Sequence, residues 1–325
     1  MLTNISLYAA VVLIWGTTWF TIKFQLGVVP SDVSVGYRFL LSGLILLIYA
    51  TLTRPQDLKL FKNKSVITWL GLQSVFMFGL NYILVYMATA HLTSALVAVV
   101  FSLLTVLNAL NARIFLKQKM ELNAGIAIIL GFVGIMLFFA EDILAANSEF
   151  ILGTLIALAS TYSASLGNIA AVKVRSFKVP IIHSVALGMT IGGALTLAYS
   201  FIRGAEFSFV WSVPYVGSLA YLSLFGSIAA FLCYINLLSR IGASRAAYSS
   251  VLIPVVAILI SSFFENYKLT FMSLLGFGLI LIGNVFALTN YDLAGYISGV
   301  FKRALHLNYS LADDKSPKSK SQKVS

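Results

Sequence analysis

Long apolar runs separated by short polar segments dominate the pattern of this chain. Each run has about 20 residues, the length that an α-helix needs to cross the roughly 30 Å hydrocarbon core of a bilayer. The ten runs lie at about 5–24, 33–52, 66–88, 93–116, 123–140, 151–172, 181–202, 212–236, 246–264 and 270–289. A membrane barrel would instead alternate apolar and polar positions in pieces of about ten residues. The pattern therefore predicts an all-α membrane protein with ten transmembrane helices.

The composition supports this prediction and excludes whole classes of protein. Of the 325 residues, 59% are hydrophobic and only 10% are charged, whereas about a quarter of the residues in a soluble domain are charged. A cytosolic enzyme, a secreted domain and a nucleic-acid reader are excluded on this balance. Membrane lipid and a small-molecule substrate are the expected partners, in a monomer or a dimer. The three histidines lie far apart in sequence, so neither a metal nor a cofactor is predicted.

The placement of basic residues predicts the orientation of the chain. The net charge is +11, and 18 of the 22 lysines and arginines lie at or after the ends of even-numbered runs. In contrast, Glu141, Asp142 and Glu149 share a loop that has no basic residue. Short cytoplasmic loops of membrane proteins collect Lys and Arg. We therefore predict a multi-pass protein of the inner (plasma) membrane with both termini in the cytoplasm.

The segment after the last run has two parts. Within 291–309, apolar residues such as Leu293, Ile297 and Val300 recur at helical spacing, which predicts either an amphipathic helix on the cytoplasmic membrane surface or a continuation of the tenth helix. The composition of 310–325 is typical of a disordered basic tail.

The two halves of the chain resemble each other at an offset of about 148 residues. Tyr86 corresponds to Tyr234, and the run end at 114–117 corresponds to the one at 262–265. We place the first repeat at 1–142 and the second at 149–290. Because each repeat holds five crossings, an odd number, the two repeats are expected in opposite orientations. Inverted repeats are typical of transporters that work by alternating access.

Several motifs resemble those of the EamA-type families of the drug/metabolite transporter superfamily. They are Leu13-Ile14-Trp15-Gly16-Thr17-Thr18-Trp19-Phe20-Thr21-Ile22-Lys23, Tyr37-Arg38-Phe39, Gly242-Ala243-Ser244-Arg245-Ala246-Ala247, Pro254, Glu265 and Gly276 with Gly283. The resemblance covers about residues 5–290. It implies a ten-helix carrier with a central cavity lined mainly by helices 1, 3, 4, 6, 8 and 9, and members that export amino acids and other small metabolites. The chain departs from the family at Val106, where proline is common, and at Lys117, where many relatives have an acid.

Polar and aromatic residues inside the runs are the candidates for substrate binding. Such side chains are costly when they face lipid, so they are expected to point inward. The set is Trp15, Thr18, Trp19, Tyr82, Tyr86, Ser102, Asn108, Tyr162, Ser165, Asn168 and Tyr234. For any one of them, packing or a hydrogen bond between helices is the alternative; together they predict an aromatic cavity.

Arg38 is a strong charge inside a run, and such charges are functional candidates by default. Two roles remain open: it attracts a substrate carboxylate, or it has a structural role, either paired with Asp32 or reaching outward to water and lipid phosphate. No aspartate or glutamate lies well inside a run. A neutral, zwitterionic or aromatic substrate therefore fits better than a cationic drug.

The sequence predicts a small-metabolite transporter that works by alternating access and exports amino acids or related neutral or zwitterionic metabolites. A multidrug-type efflux carrier and a membrane sensor or scaffold without transport are the alternatives. An enzyme is not predicted, because the runs lack the convergent carboxylates or histidines that membrane-embedded catalysis needs.

Overall fold

The computed structural model describes residues 3–53, 61–117, 122–141, 148–241, 246 and 249–288. The predicted surface helix at 291–309 and the tail at 310–325 lie outside the described residues. Within the described ranges the regular structure is helical and contains no strand. The predicted all-α class is therefore confirmed.

Eight helices are long and apolar enough to cross a membrane, and two apolar helices are shorter. The long helices are α1 (Asn4–Gln25, with a final 3₁₀ turn), α2 (Ser31–Thr53), α3 (Lys64–His91), α4 (Ser94–Leu116), α6 (Ser148–Ser176), α7 (Ile181–Ile202), α8 (Val213–Ile241) and α10 (Phe271–Leu288). The shorter helices are α5 (Leu122–Phe138) and α9 (Ser249–Phe264).

Polar residues at the predicted boundaries begin several helices. The side chains of Thr3, Asn63, Thr93 and Ser212 accept hydrogen bonds from backbone N–H groups in the first turns of α1, α3, α4 and α8. Such caps satisfy donors that have no partner inside the helix. These capping residues explain why separate helices begin at these positions.

Two helices contain π-helical segments at corresponding positions of the two halves. The segments are Ser74–Leu80 in α3 and Leu222–Ala229 in α8. Their first residues are 148 apart, the offset that separates Tyr86 from Tyr234. Because π-helical turns are rare and often lie at functional sites, their recurrence at this offset indicates a two-repeat fold.

Corresponding helices of the two halves also pack against each other, α2 on α7 and α5 on α10. A Cβ atom added to Gly43 would lie 2.4 Å from the backbone nitrogen of Thr190, and one added to Gly193 would lie 2.4 Å from that of Leu40. Gly193 lies 150 positions after Gly43, and Thr190 lies 150 positions after Leu40. The two contacts are therefore equivalent contacts made by the two halves of the chain. Residue numbers rise along α2 as they fall along α7, so the two helices run antiparallel.

This close packing makes a prediction for stability. Gly193→Ala should lower the melting temperature of the purified protein by several degrees, because the new methyl group meets the backbone of α2 and overpacking costs about 1–3 kcal/mol. Gly278→Ala is the matched control, since a Cβ there meets nothing within 4 Å and alanine favours the helix. Equal melting temperatures for the two variants would contradict the packing.

Helix α4 breaks at Ser102–Leu103, between Ser94–Phe101 and Leu104–Leu116. The Ser102 hydroxyl donates to the carbonyl of Val99 at 2.6 Å, and the N–H of Leu103 donates to Val100, three residues back. These tightened turns bend the helix without a proline. The absence of proline at Val106 therefore does not leave α4 straight.

Candidate functional site

Six aromatic residues form a connected cluster between α1, α2, α3 and α8. Their ring centroids lie 4.4–6.0 Å apart from one neighbour to the next, within the range of favourable aromatic contacts. We call this set the central aromatic cluster; in order of contact it comprises Tyr234, Trp15, Phe231, Phe78, Phe39 and Tyr82. Three of the predicted site residues, Trp15, Tyr82 and Tyr234, thus belong to one site.

Arg38 lies at one end of this cluster and is 1% exposed. The carbon atom of its guanidinium group is 4.9 Å from the ring centroids of both Phe39 and Tyr82, and its Nε donates to the hydroxyl of Ser227 at 3.3 Å. Of the roles left open for Arg38, pairing with Asp32 is not the one formed, because both Asp32 oxygens accept from Arg203, the closest at 2.8 Å. Asp32 lies in the first turn of α2 and so meets the end of the antiparallel α7.

The π-helical segment of α8 provides the backbone around Arg38. Trp15 donates from its indole nitrogen to the carbonyl of Gly226 at 3.2 Å. A Cβ on Gly226 would lie 2.8 Å from the methyl group of Thr18 and 3.4 Å from Nη2 of Arg38. A glycine is therefore needed for α1, α2 and α8 to meet here.

The charged residues divide the bundle into two ends. At the acidic end lie all the carboxylates of the described residues, which are Asp32, Glu141, Glu149, Glu206 and Glu265. At the basic end lie Lys62, Lys64, Arg113, Lys117, Lys173, Arg175, Lys178 and Arg240. The described residues form three ion pairs with each other, and all lie at the acidic end: Asp32–Arg203, His91–Glu149 and Lys23–Glu265.

At the acidic end, side-chain contacts between helices cover the central aromatic cluster. Trp19 packs on Phe101 with centroids 5.0 Å apart, and the hydroxyl of Tyr86 donates to the side-chain carbonyl of Gln25 at 2.7 Å. Gln25 and Tyr86 are fully buried. Towards the basic end, Trp15 and Tyr234 are only half-buried. Around the cluster, Trp15 and Tyr234 are therefore more exposed than Gln25 and Tyr86.

Glu265 joins three helices at the closed end. Its carboxylate accepts from Lys23 at the end of α1 and from both the hydroxyl and the backbone N–H of Ser94 at the start of α4. Burial alone raises the pKa of Glu265, but the hydrogen bonds from Lys23 and Ser94 and the charge of Lys23 outweigh it, so the pKa is lowered. We call Lys23, Ser94 and Glu265 the outer lock.

The lowered pKa gives a prediction for pH. A carboxylate whose pKa is depressed in the folded state contributes stability above its ordinary pKa, and loses that contribution as the pH falls through the lowered value. The outer lock should thus stay closed between about pH 5 and 8. The check is the labelling rate of a cysteine at Phe101 with a membrane-impermeant thiol reagent, normalised to the reagent's rate with a free thiol. A rise towards pH 5 would contradict the prediction.

The other predicted site residues have different surroundings. Asn168 donates to Asn108 at 3.2 Å, and Ser165 accepts from Asn111 at 2.8 Å, so the polar groups of α4 and α6 bond to each other. Thr18 donates to the carbonyl of Trp15 at 2.6 Å. Tyr162 lies apart from the cluster: it is 43% exposed and follows the outward apolar positions Leu152 and Leu155 on α6.

Sequence reasoning missed the partners of Arg38 and the outer lock. Ser227 and Gly226 carry no signal beyond two small residues in an apolar run. Phe231 looks like any other apolar residue of its helix. For Lys23 and Glu265, opposite charges at the ends of two predicted helices were the available signal.

Comparisons with known proteins agree with this geometry. The pattern that defines the EamA-like transporter family matches the chain twice, at residues 2–140 and 151–289. An uncharacterized transporter of Bacillus subtilis, YvbV, is 32% identical over 87% of this chain and 90% of its own length. The uncharacterized inner membrane transporter YedA of Escherichia coli is 26% identical over 89% and 90%. One crystal structure of a protein superposes with a TM-score of 0.62 and 18% identity, over 87% of this chain and 96% of that one, which shows likeness of fold alone.

Proposed function

Because this chain belongs to the EamA-like transporter family, we propose that it carries a small metabolite across the inner (plasma) membrane by alternating access. The proposed cargo is an amino acid or a related neutral or zwitterionic compound, and the proposed direction is export. The observation that carries this proposal is the central aromatic cluster, which the outer lock closes at one end and in which Trp15 and Tyr234, nearer the other end, are half-buried.

The proposed architecture has ten crossings in two inverted five-helix repeats. Antiparallel packing of α2 on α7 and of α5 on α10 supports it, because corresponding helices of inverted repeats run in opposite directions. The shorter α5 and α9 then also cross the membrane. The excess of Lys and Arg at the basic end supports a cytoplasmic location for that end and for both termini.

The proposed binding chamber lies between Arg38 and the basic end. Large aromatic faces with a few hydrogen-bonding groups are typical of small-molecule sites. Trp15, Phe231 and Tyr234 provide those faces. Among the described residues no carboxylate lies beside the cluster, which argues against a cationic drug as cargo.

The proposed cycle follows from the two ends. With the acidic end outside and closed by the outer lock, cargo is proposed to enter from the cytoplasm. Export then requires the outer lock to open while α1, α4, α8 and α9 close over the basic end. The break in α4 at Ser102–Leu103 and Pro254 in α9 supply bends at which the helices can change their angle.

Counterflow in liposomes tests this proposal. Purified protein is reconstituted into vesicles loaded with one unlabelled amino acid, and accumulation of the same labelled compound is followed over time. A carrier accumulates the label transiently above its equilibrium level. Neutral and aromatic amino acids are expected to show counterflow, and nucleosides and sugars serve as the comparison panel. Absence of counterflow for every amino acid, from protein that melts cooperatively, would contradict the proposal.

A further inference from the structure

The proposed chamber is bordered by a buried cation, Arg38, that forms no ion pair with a carboxylate of the described residues. Arg38 lies seven residues into α2, about 10 Å from the start of the helix. Every ion pair found between described residues involves other groups, and all of them lie at the acidic end. A charge in this position is expensive unless it is paired, so the function of the protein should account for it.

The hydrogen bonds and rings around Arg38 satisfy only part of the guanidinium group. Phe39 and Tyr82 offer their ring faces, and Ser227 accepts a hydrogen bond from Nε. The Tyr86 hydroxyl interacts with the guanidinium group both electrostatically and through a side-chain hydrogen bond. Nη1 is buried and has no hydrogen-bond partner among the described residues. These neighbours hold the side chain in one position and leave a donor for a further acceptor.

We propose that Arg38 binds the carboxylate of the transported compound, a monoanionic acid group on an aromatic or apolar body. The inference rests on the proposed function, because it names the chemistry of the same chamber. A single buried arginine balances one negative charge, whereas a dianionic phosphate would leave one charge unpaired. The body of the compound then lies along Trp15 and Phe231, on the basic side of Arg38.

This assignment also explains why aromatic rings pack against Arg38. Binding a carboxylate to a fixed guanidinium costs little ordering, because Arg presents its donors in a preformed plane. The rings of Phe39 and Tyr82 and the hydrogen bond to Ser227 hold that plane before the cargo arrives. The π-helical segment of α8 places Ser227 there.

Four matched probes test the role of the acid group. L-Phenylalanine and 3-phenylpropionate carry the carboxylate, whereas phenylalaninamide and phenethylamine lack it. Each competes with the counterflow substrate, and each is titrated against purified protein while the melting temperature is recorded. We expect the two acids to bind about ten- to a hundredfold more tightly than the amide and the amine, the range of one charge-assisted hydrogen bond. If counterflow identifies another substrate, that compound and its form without the acid group replace the four probes.

Variants of Arg38 distinguish its proposed role in carboxylate binding from the proposed transport function. Arg38→Met should abolish the preference for the acids, and Arg38→Lys should keep part of it, since lysine retains the charge without the planar donors. Lys173→Met is the matched control: it removes a cation that lies 5.9 Å from the ring centroid of Trp69, away from the chamber. Counterflow that does not distinguish an acid from its amide, or an unchanged preference in Arg38→Met and Arg38→Lys, would overturn the assignment alone. Absence of all counterflow would instead contradict the proposed function.

Discussion

Replacing Trp15 with alanine is expected to reduce transport at least about tenfold while the protein still reaches the membrane. Trp15 contacts Phe231 and Tyr234 and donates a hydrogen bond to Gly226. Two aromatic contacts and one hydrogen bond together contribute about 2 kcal/mol, and 1.4 kcal/mol corresponds to a tenfold change. Initial rates of counterflow, divided by the amount of protein in the vesicles, measure the effect.

Two further variants show whether that loss of transport is specific to the Trp15 side chain. Trp15→Phe keeps a ring but loses the bond to Gly226, so its rate should lie between those of the wild type and Trp15→Ala. Trp211→Ala removes a tryptophan that is 85% exposed and should leave the rate within about twofold. Equal losses in Trp211→Ala and Trp15→Ala would point to a general effect on folding and contradict the chamber.

Breaking the outer lock is expected to have the second large effect. In Glu265→Gln the negative charge that pairs with Lys23 is lost. Removing one partner of a fully buried ion pair costs about 3–5 kcal/mol. Lys23 is 31% exposed and Glu265 only 7%, so the cost here should be smaller. We expect the closed acidic end to become less populated and the counterflow rate to fall severalfold.

The reciprocal exchange tests whether the two charges act together. Lys23→Glu with Glu265→Lys should recover part of the rate that either single change removes, because the charges again attract each other. Recovery should be incomplete, since a lysine cannot accept the hydrogen bonds from Ser94. Glu149→Gln is the control, because its pair with His91 is at the same end but the Glu149 side chain is 69% exposed. If the loss of rate in the double variant equals the sum of the losses in the two single variants, the two charges do not act together, and the outer lock is contradicted.

The sequence predicted those features that depend on the pattern of many residues. The helices follow the apolar runs, and the π-helical segments at Ser74–Leu80 and Leu222–Ala229 recur at the offset of 148 residues that the sequence indicated. The family inferred from the motif around Trp15 and from Glu265 is confirmed by the match over both halves. Both signals are spread over the whole chain, so errors at single positions matter little.

Features that depend on single contacts were less predictable. Asp32 lies closer to Arg38 in sequence, yet it pairs with Arg203, which antiparallel packing of α2 and α7 brings beside it. Tyr162 shares a helical face with Ser165 by spacing, but its ring lies on the outward side of α6. The spacing along one helix gives the angles between side chains, whereas the neighbouring helices decide which side chains face the interior of the bundle.

The direct test of the central claim is reciprocal accessibility at the two ends of the chamber. In a Cys233→Ala background, cysteines are placed singly at Phe101, near the acidic end, and at Tyr234, nearer the basic end. Membrane-impermeant thiol reagents are applied from each side, with Glu265 intact or replaced by glutamine. Alternating access predicts that the replacement accelerates labelling at 101 from the acidic side and slows labelling at 234 from the basic side. Rates that rise together at both positions, or that do not change, would contradict it.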